Sequence, residues 1–143
     1  MMGGESMADD ELEVFDLDDV VVHLGQGLTA QPFDHGGWGE GFGDRYRDAF
    51  SEPEVAGGRL VTLFPQTEDW PHWERHPAGE ELVVLVTGRV RLFQEHEGTT
   101  RQVVLTPGKG IVNPPGAWHT ADVLEPGLGL FVTPSAGTDH KPR

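Results

Sequence analysis

His72, Glu74 and His76 stand at alternate positions in Trp70-Pro71-His72-Trp73-Glu74-Arg75-His76. An extended strand turns alternate side chains to opposite faces, so these three share one face and Trp73 and Arg75 the other. Neither face is apolar throughout. Turned inward, the His72–Glu74–His76 face buries imidazoles and a carboxylate, which is costly unless something satisfies them. A divalent metal ion would do so, since imidazole nitrogen and carboxylate oxygen suit iron, manganese, nickel or zinc. Glu81 follows beyond the Pro77-Ala78-Gly79 turn, and His119 follows Pro114-Pro115-Gly116. Glu80 and Glu81 are adjacent, so one of them must point outward. The plain alternative is a solvated Glu74, with His76 and His119 merely flanking turns. His23, His35, His96 and His140 show no spacing relation to this group, and His96 reads as a solvated residue of a hairpin tip.

The elements that must position these residues are short strands. Arg59 to Phe64, Trp70 to His76, Glu81 to Thr87, Arg89 to Glu95, Arg101 to Leu105, Gly110 to Asn113, Trp118 to Val123 and Leu128 to Thr133 are separated by glycine and proline turns. Turn signals at this spacing predict an all-β sandwich or barrel. Val20 to Leu24 reads as an edge strand. Residues 25–58 read as a long loop with a helical turn over Asp44 to Phe50, and loops of that length in small domains often act as lids. The strand from Glu81 to Thr87 is apolar on both faces, so both are expected to be covered. One face fills the barrel; the other calls for a second sheet or a second subunit, and a homodimer is the expectation.

Charge and composition close other doors. The chain has 143 residues, 24 acids against 10 bases and a formal net charge of −14. Nucleic acids and anionic membranes need a basic face, so neither is an expected partner. The first twenty residues carry eight acids and no base. Such density predicts a disordered acidic tail over 1–12, with one domain over 13–143. Met7 is an alternative start. Without cysteine, the chain has no disulfide, iron–sulfur cluster or cysteine-built zinc site. No apolar run reaches a membrane span, and no signal segment opens the chain, which fits the cytoplasm.

Over roughly residues 59–133 the chain resembles the cupin superfamily. The first cupin motif reads G-x5-H-x-H-x3,4-E-x6-G, and here His76, Glu81 and Gly88 stand in its spacing. The second reads G-x5-P-x-G-x2-H-x3-N, and Gly108, Pro114, Gly116 and His119 stand in register. Glu74 occupies the place of the first histidine, Glu68 that of the leading glycine and Val123 that of the closing asparagine. The resemblance implies a double-stranded β-helix, the jelly-roll barrel. Carried over by position, it implies a metal site of Glu74, His76, Glu81 and His119, with His72 as a substitute for the missing histidine if the strand shifts by one pleat. The motif spacing selects Glu81 over Glu80 as the inward residue.

Two imidazoles and two carboxylates form a competent set for one divalent transition ion, iron(II) or manganese(II) before zinc or nickel. The resemblance then implies a metal-dependent enzyme on a small-molecule substrate, dioxygenase first, isomerase or lyase next. Glu74 or Glu81 would serve as a base. The alternative is a non-catalytic cupin that binds a small ligand or a partner. A sugar epimerase would need a tyrosine acid, and the only tyrosine is Tyr46. Trp70 is in phase with Glu74 and His76, which suits a pocket mouth; the equal alternative is that Trp70, Trp73 and Trp118 are core or interface aromatics. Arg75, Arg89 and Arg91 are expected to pair with surface carboxylates.

Overall fold

The computed structural model describes residues 12–36 and 41–143. The acidic tail therefore lies outside the described residues except for Leu12, and so do 37–40 of the glycine-rich segment. The elements run β1 (Val20–Leu24), β2 (Ala30–Asp34), α1 (Phe42–Ala49), α2 (Glu52–Gly57), β3 (Arg59–Gln66), β4 (His72–Arg75), β5 (Glu81–His96), β6 (Thr99–Leu105), β7 (Gly110–Asn113), β8 (Trp118–Pro134) and β9 (Asp139–Pro142). All strand pairs are antiparallel.

Two long strands make the architecture. The first half of β5, from Leu82 to Thr87, pairs with Val132 to Leu128 of β8, and its second half, Arg89 to Glu95, pairs with Glu125 to Trp118. The ladder shifts register three times between Leu85 and Val90. Such bulges bend both strands, so each belongs to two sheets. One sheet runs β2-β1-β3-β8-β5-β7 and the other β9-β4-β8-β5-β6. Between them lies the core of Val83, Leu85, Val90, Leu92, Leu105 and Phe131. The segments expected as four separate strands, broken at Gly88 and at Glu125-Pro126-Gly127, are thus two continuous bent ones. A turn signal in a strand that bends looks the same in sequence as one that reverses it.

The stretch 25–58 is not the loop expected. It holds β2, α1 and α2. β2 lies at a sheet edge, where Pro32 is tolerated because its missing N–H faces no partner strand. α2 starts with Ser51, whose Oγ accepts a hydrogen bond from the Glu54 N–H at 3.4 Å. Both helices close over β1. His23 is fully buried, with the Tyr46 hydroxyl at Nδ1, Glu54 Oε2 at 3.1 Å from Nε2 and Phe50 stacked at 4.3 Å. One imidazole thereby ties α1 and α2 to β1.

Partner residues across an antiparallel ladder share a face. Leu82 on β5 pairs with Val112 and Val132, and Val132 pairs with Val61. Their side chains turn away from the core, and Val112 is 50% exposed. The second apolar face read from Glu81 to Thr87 is therefore the outer face of the larger sheet.

Gly88 sits at the bend of β5 with φ of +90°, and a Cβ there would meet the carbonyl oxygens of Glu125 and Pro126 at 2.7 and 2.8 Å. Gly88→Ala is expected to cost about 1–3 kcal/mol in urea unfolding. Unchanged stability would contradict the bend as the fixed point of the barrel.

Candidate metal centre

Glu81 opens β5 and faces inward, in phase with Val83 and Leu85. It is 2% exposed, yet its oxygens are well supplied: Asn113 Nδ2 donates to Oε1 at 3.0 Å and Thr133 Oγ1 to Oε2 at 2.7 Å. Asn113 is its ladder partner on β7, and Gln94 on β5 donates to Asn113 Oδ1 at 3.0 Å. Arg101 on β6 donates to Gln94 Oε1 at 2.8 Å. Glu80, next along the chain, is exposed.

Two histidines approach Glu81. His76 Nε2 lies 3.2 Å from Oε2, and His119 Nε2 lies 3.1 Å from Oε1. Glu74 on β4 is the ladder partner of His119 on β8, and its Oε2 is 3.6 Å from His119 Nε2. One ligand atom each from Glu74, His76 and His119 falls within 4.8 Å of the others. The side chains of both motif halves thus meet inside the barrel. This bent-strand barrel with both motif halves at its centre is the arrangement that the cupin resemblance implies.

No protein-family model matches the chain, and no curated protein matches it. Among solved structures the chain is similar to hydroquinone 1,2-dioxygenase PnpCD in complex with Cd2+ and 4-hydroxybenzonitrile, at 18% identity and TM-score 0.47, covering 55% of this chain and 58% of that one. Hydroxypropylphosphonic acid epoxidase from S. wedmorenis matches at 13% identity and TM-score 0.45, over 52% of this chain and 43% of its own. Bacillus subtilis oxalate decarboxylase, described with Mn(II) centres, matches at 15% identity and TM-score 0.48, over 59% and 23%. Each match spans less than two thirds of the relative's own length.

The outer ring nitrogens decide how the imidazoles face inward. His119 Nδ1 is 3.3 Å from the Ala117 carbonyl, which can only accept, so Nδ1 carries the proton of the neutral ring. Nε2 then presents a lone pair to two carboxylates. His76 Nδ1 is held by Thr138 Oγ1 at 2.9 Å. Both Nε2 atoms are buried and make no hydrogen bond. This is the arrangement of a ring whose remaining nitrogen is reserved for a cation.

Electrostatics says the same. Burial alone would push the Glu81 carboxyl up, but His119 and His76 beside it hold it well below the usual range. Glu74 is likewise lowered against its burial, chiefly by His119. Burial would depress His119, but Glu74 and Glu81 raise it to about 9. Without a metal, a proton on His119 is therefore the cation that the carboxylates hold at neutral pH.

His72 is exposed at the cavity rim and does not join the cluster, so the one-pleat shift that would make it a ligand does not occur. His140, given no role by its spacing, is the ladder partner of Glu74 on β9 and brings Nε2 to 3.3 Å from Glu74 Oε1. Asp139-His140-Lys141-Pro142 is too short to announce a strand. Asn113 and Thr133, the two donors to Glu81, were also missed. Trp70 lines the cavity, 6.1 Å from the His119 ring. On the opposite face Arg75 pairs with Asp139 at 2.9 Å and stacks on Trp118, a surface pairing as expected.

The sign of the pH dependence follows. His119, raised from 6.5, contributes stability that is complete below pH 6.5 and is lost as pH rises through about 9. Glu74 and Glu81, lowered from 4.5, contribute stability present above pH 4.5 and lost as pH falls. Metal-free protein is expected to melt highest between these limits and to lose about 4 °C or more by pH 9. Saturating zinc is expected to abolish that alkaline loss by taking the proton's place. A flat melting profile from pH 5 to 9 without metal would contradict this.

Proposed function

We propose that Glu74, His76, Glu81 and His119 bind one divalent transition-metal ion, iron(II) or manganese(II) before zinc or nickel. We further propose that the protein is a dioxygenase-type oxidoreductase acting on a small molecule in the adjoining cavity. The observation that carries this is the pair of buried, hydrogen-bond-free Nε2 atoms facing two carboxylates. When bound, such an ion supplies Lewis-acid or redox chemistry with positions open to substrate.

The chain's own residues divide the remaining work. Glu81 is held by Asn113 and Thr133 and is the fixed member. Glu74 is 28% exposed and borders the cavity, so it is the carboxylate with room to turn and take a proton from a substrate. His140 steadies its other oxygen. Ala117 and Thr138 fix the imidazole orientations.

Metal content of untagged protein, measured by mass spectrometry, tests the site. About one ion per chain is expected, against trace metal in His76→Ala and His119→Ala. Thr133→Val is expected to weaken metal binding by about 10–100-fold. Equal trace metal in all of them would overturn the proposal. Glu74 in the place of a histidine favours the alternative, a non-catalytic cupin. Ligand binding with neither oxygen uptake nor product formation would select that reading.

The outer apolar face of the larger sheet supports a homodimer. Light scattering is expected to give twice the chain mass, and Val112→Lys to shift it toward monomer. A clean monomer of the unaltered protein at micromolar concentration would exclude it.

A further inference from the structure

We propose that the cavity takes a small aromatic molecule carrying no anionic group. This rests on the reading of the cavity as the substrate site of the proposed metal centre. The cavity holds about 840 Å³ and opens beside Glu74, His76 and Glu81. Four aromatic rings make most of its apolar wall, Phe42 from α1, Phe64 from β3, Trp70 and, from β8, Phe131, with Leu60, Pro65 and Pro71 beside them. Phe64 is on the inner face of the barrel, yet 43% exposed. A large apolar ring lining a cavity at that exposure is surface for a ligand to cover. The Trp70 Nε1–H is spent on Gln66 Oε1 at 2.7 Å, so its indole offers the cavity an apolar ring with its donor already engaged. Flat rings pack on such walls edge-to-face or offset.

The charge of the lining restricts the ligand further. Among the described residues its acids are Glu68, Asp69, Glu74 and Glu81, and no lysine or arginine lines it. The bases of β4 and β9, and Arg143 beyond them, are engaged elsewhere, and Arg59 on β3 alternates to the face opposite Leu60, Thr62 and Phe64. Arg75 holds Asp139, Lys141 holds Glu95, and Arg143 holds Asp122 and the carbonyls of Trp70 and Ala121. His72 and His140 stand at the rim with their rings 6.2 Å apart, and His140 Nε2 is already taken up by Glu74 Oε1 at 3.3 Å. One divalent ion offsets Glu74 and Glu81 at most. Glu68 and Asp69 remain, so a carboxylate, phosphate or sulfonate meets net negative charge with no guanidinium or ammonium to receive it. A neutral ring pays no such cost, and a cationic one gains from the acids and from the aromatic faces.

Indole, tryptamine and indole-3-acetate share one ring system and differ in charge. Their binding to metal-free protein, followed by calorimetry, decides the matter, because no bound ion can then capture the carboxylate. Indole and tryptamine are expected to bind about 10-fold or more tightly than indole-3-acetate. Phe64→Ala is expected to weaken indole several-fold. Glu68→Lys, a change at an exposed position, is expected to narrow the gap between tryptamine and indole-3-acetate, with circular dichroism showing that both variants fold. Indole-3-acetate binding as tightly as tryptamine would overturn the inference, as would no binding of indole at millimolar concentration. Metal content of the same samples separates the two proposals. Metal bound without indole binding overturns the substrate class alone, and indole bound by a protein that takes up no metal overturns the metal reading alone.

Discussion

A carboxylate buried at 2% exposure is the constraint around which the barrel is arranged. Stripping water from Glu81 costs several kcal/mol. Hydrogen bonds to a charged acceptor return about 1.5–3 kcal/mol each, and Asn113 and Thr133 supply two. The balance is left to the imidazoles of His76 and His119. These in turn present lone pairs unless a proton or a metal ion stands between them and the acid. The demand for a cation is thus built into the fold before any ligand arrives. The chain Arg101–Gln94–Asn113–Glu81 extends that order from the surface of β6 to the centre.

The bent strands explain how such a cluster can exist inside so small a barrel. Because β5 and β8 each serve two sheets, Glu81 at the start of one lies near His119 at the start of the other. β4 then needs only a single ladder pair with β8 to bring Glu74 opposite His119. Gly88 and Gly127 permit the bend. A Cβ on Gly127 would meet the Thr87 carbonyl oxygen at 2.0 Å. The bend and the site are two consequences of one geometry, which is why a glycine stands seven residues after Glu81.

Much of this was legible in the chain. The period of two put Glu74 and His76 on one face, the doubly apolar run after Glu81 marked a strand whose outer face stays exposed at Leu82 and Val86, and the turn pattern, with the cupin resemblance of the motifs, implied the barrel. What stayed hidden depends on contacts distant in sequence. His140 becomes a neighbour of Glu74 only through β9, whose four residues carry no periodic signal. The clasp of His23, Tyr46 and Glu54 left one trace, a histidine in phase with the buried Val21, but its partners lie 23 and 31 residues away. Ser51 and Pro53 open α2, but a six-residue helix is too short to show an apolar period. β2 escaped because an exposed edge strand of Ala-Gln-Pro-Phe-Asp has no apolar alternation.

The central claim is that one ion is held by both imidazoles and by the carboxylates inside the barrel. X-ray absorption at the zinc edge of zinc-loaded protein reports the donor set directly. The account predicts nitrogen and oxygen donors at about 2.0–2.2 Å, with the outer-shell scattering of two imidazole rings. A shell of oxygen alone, without imidazole scattering, would contradict it.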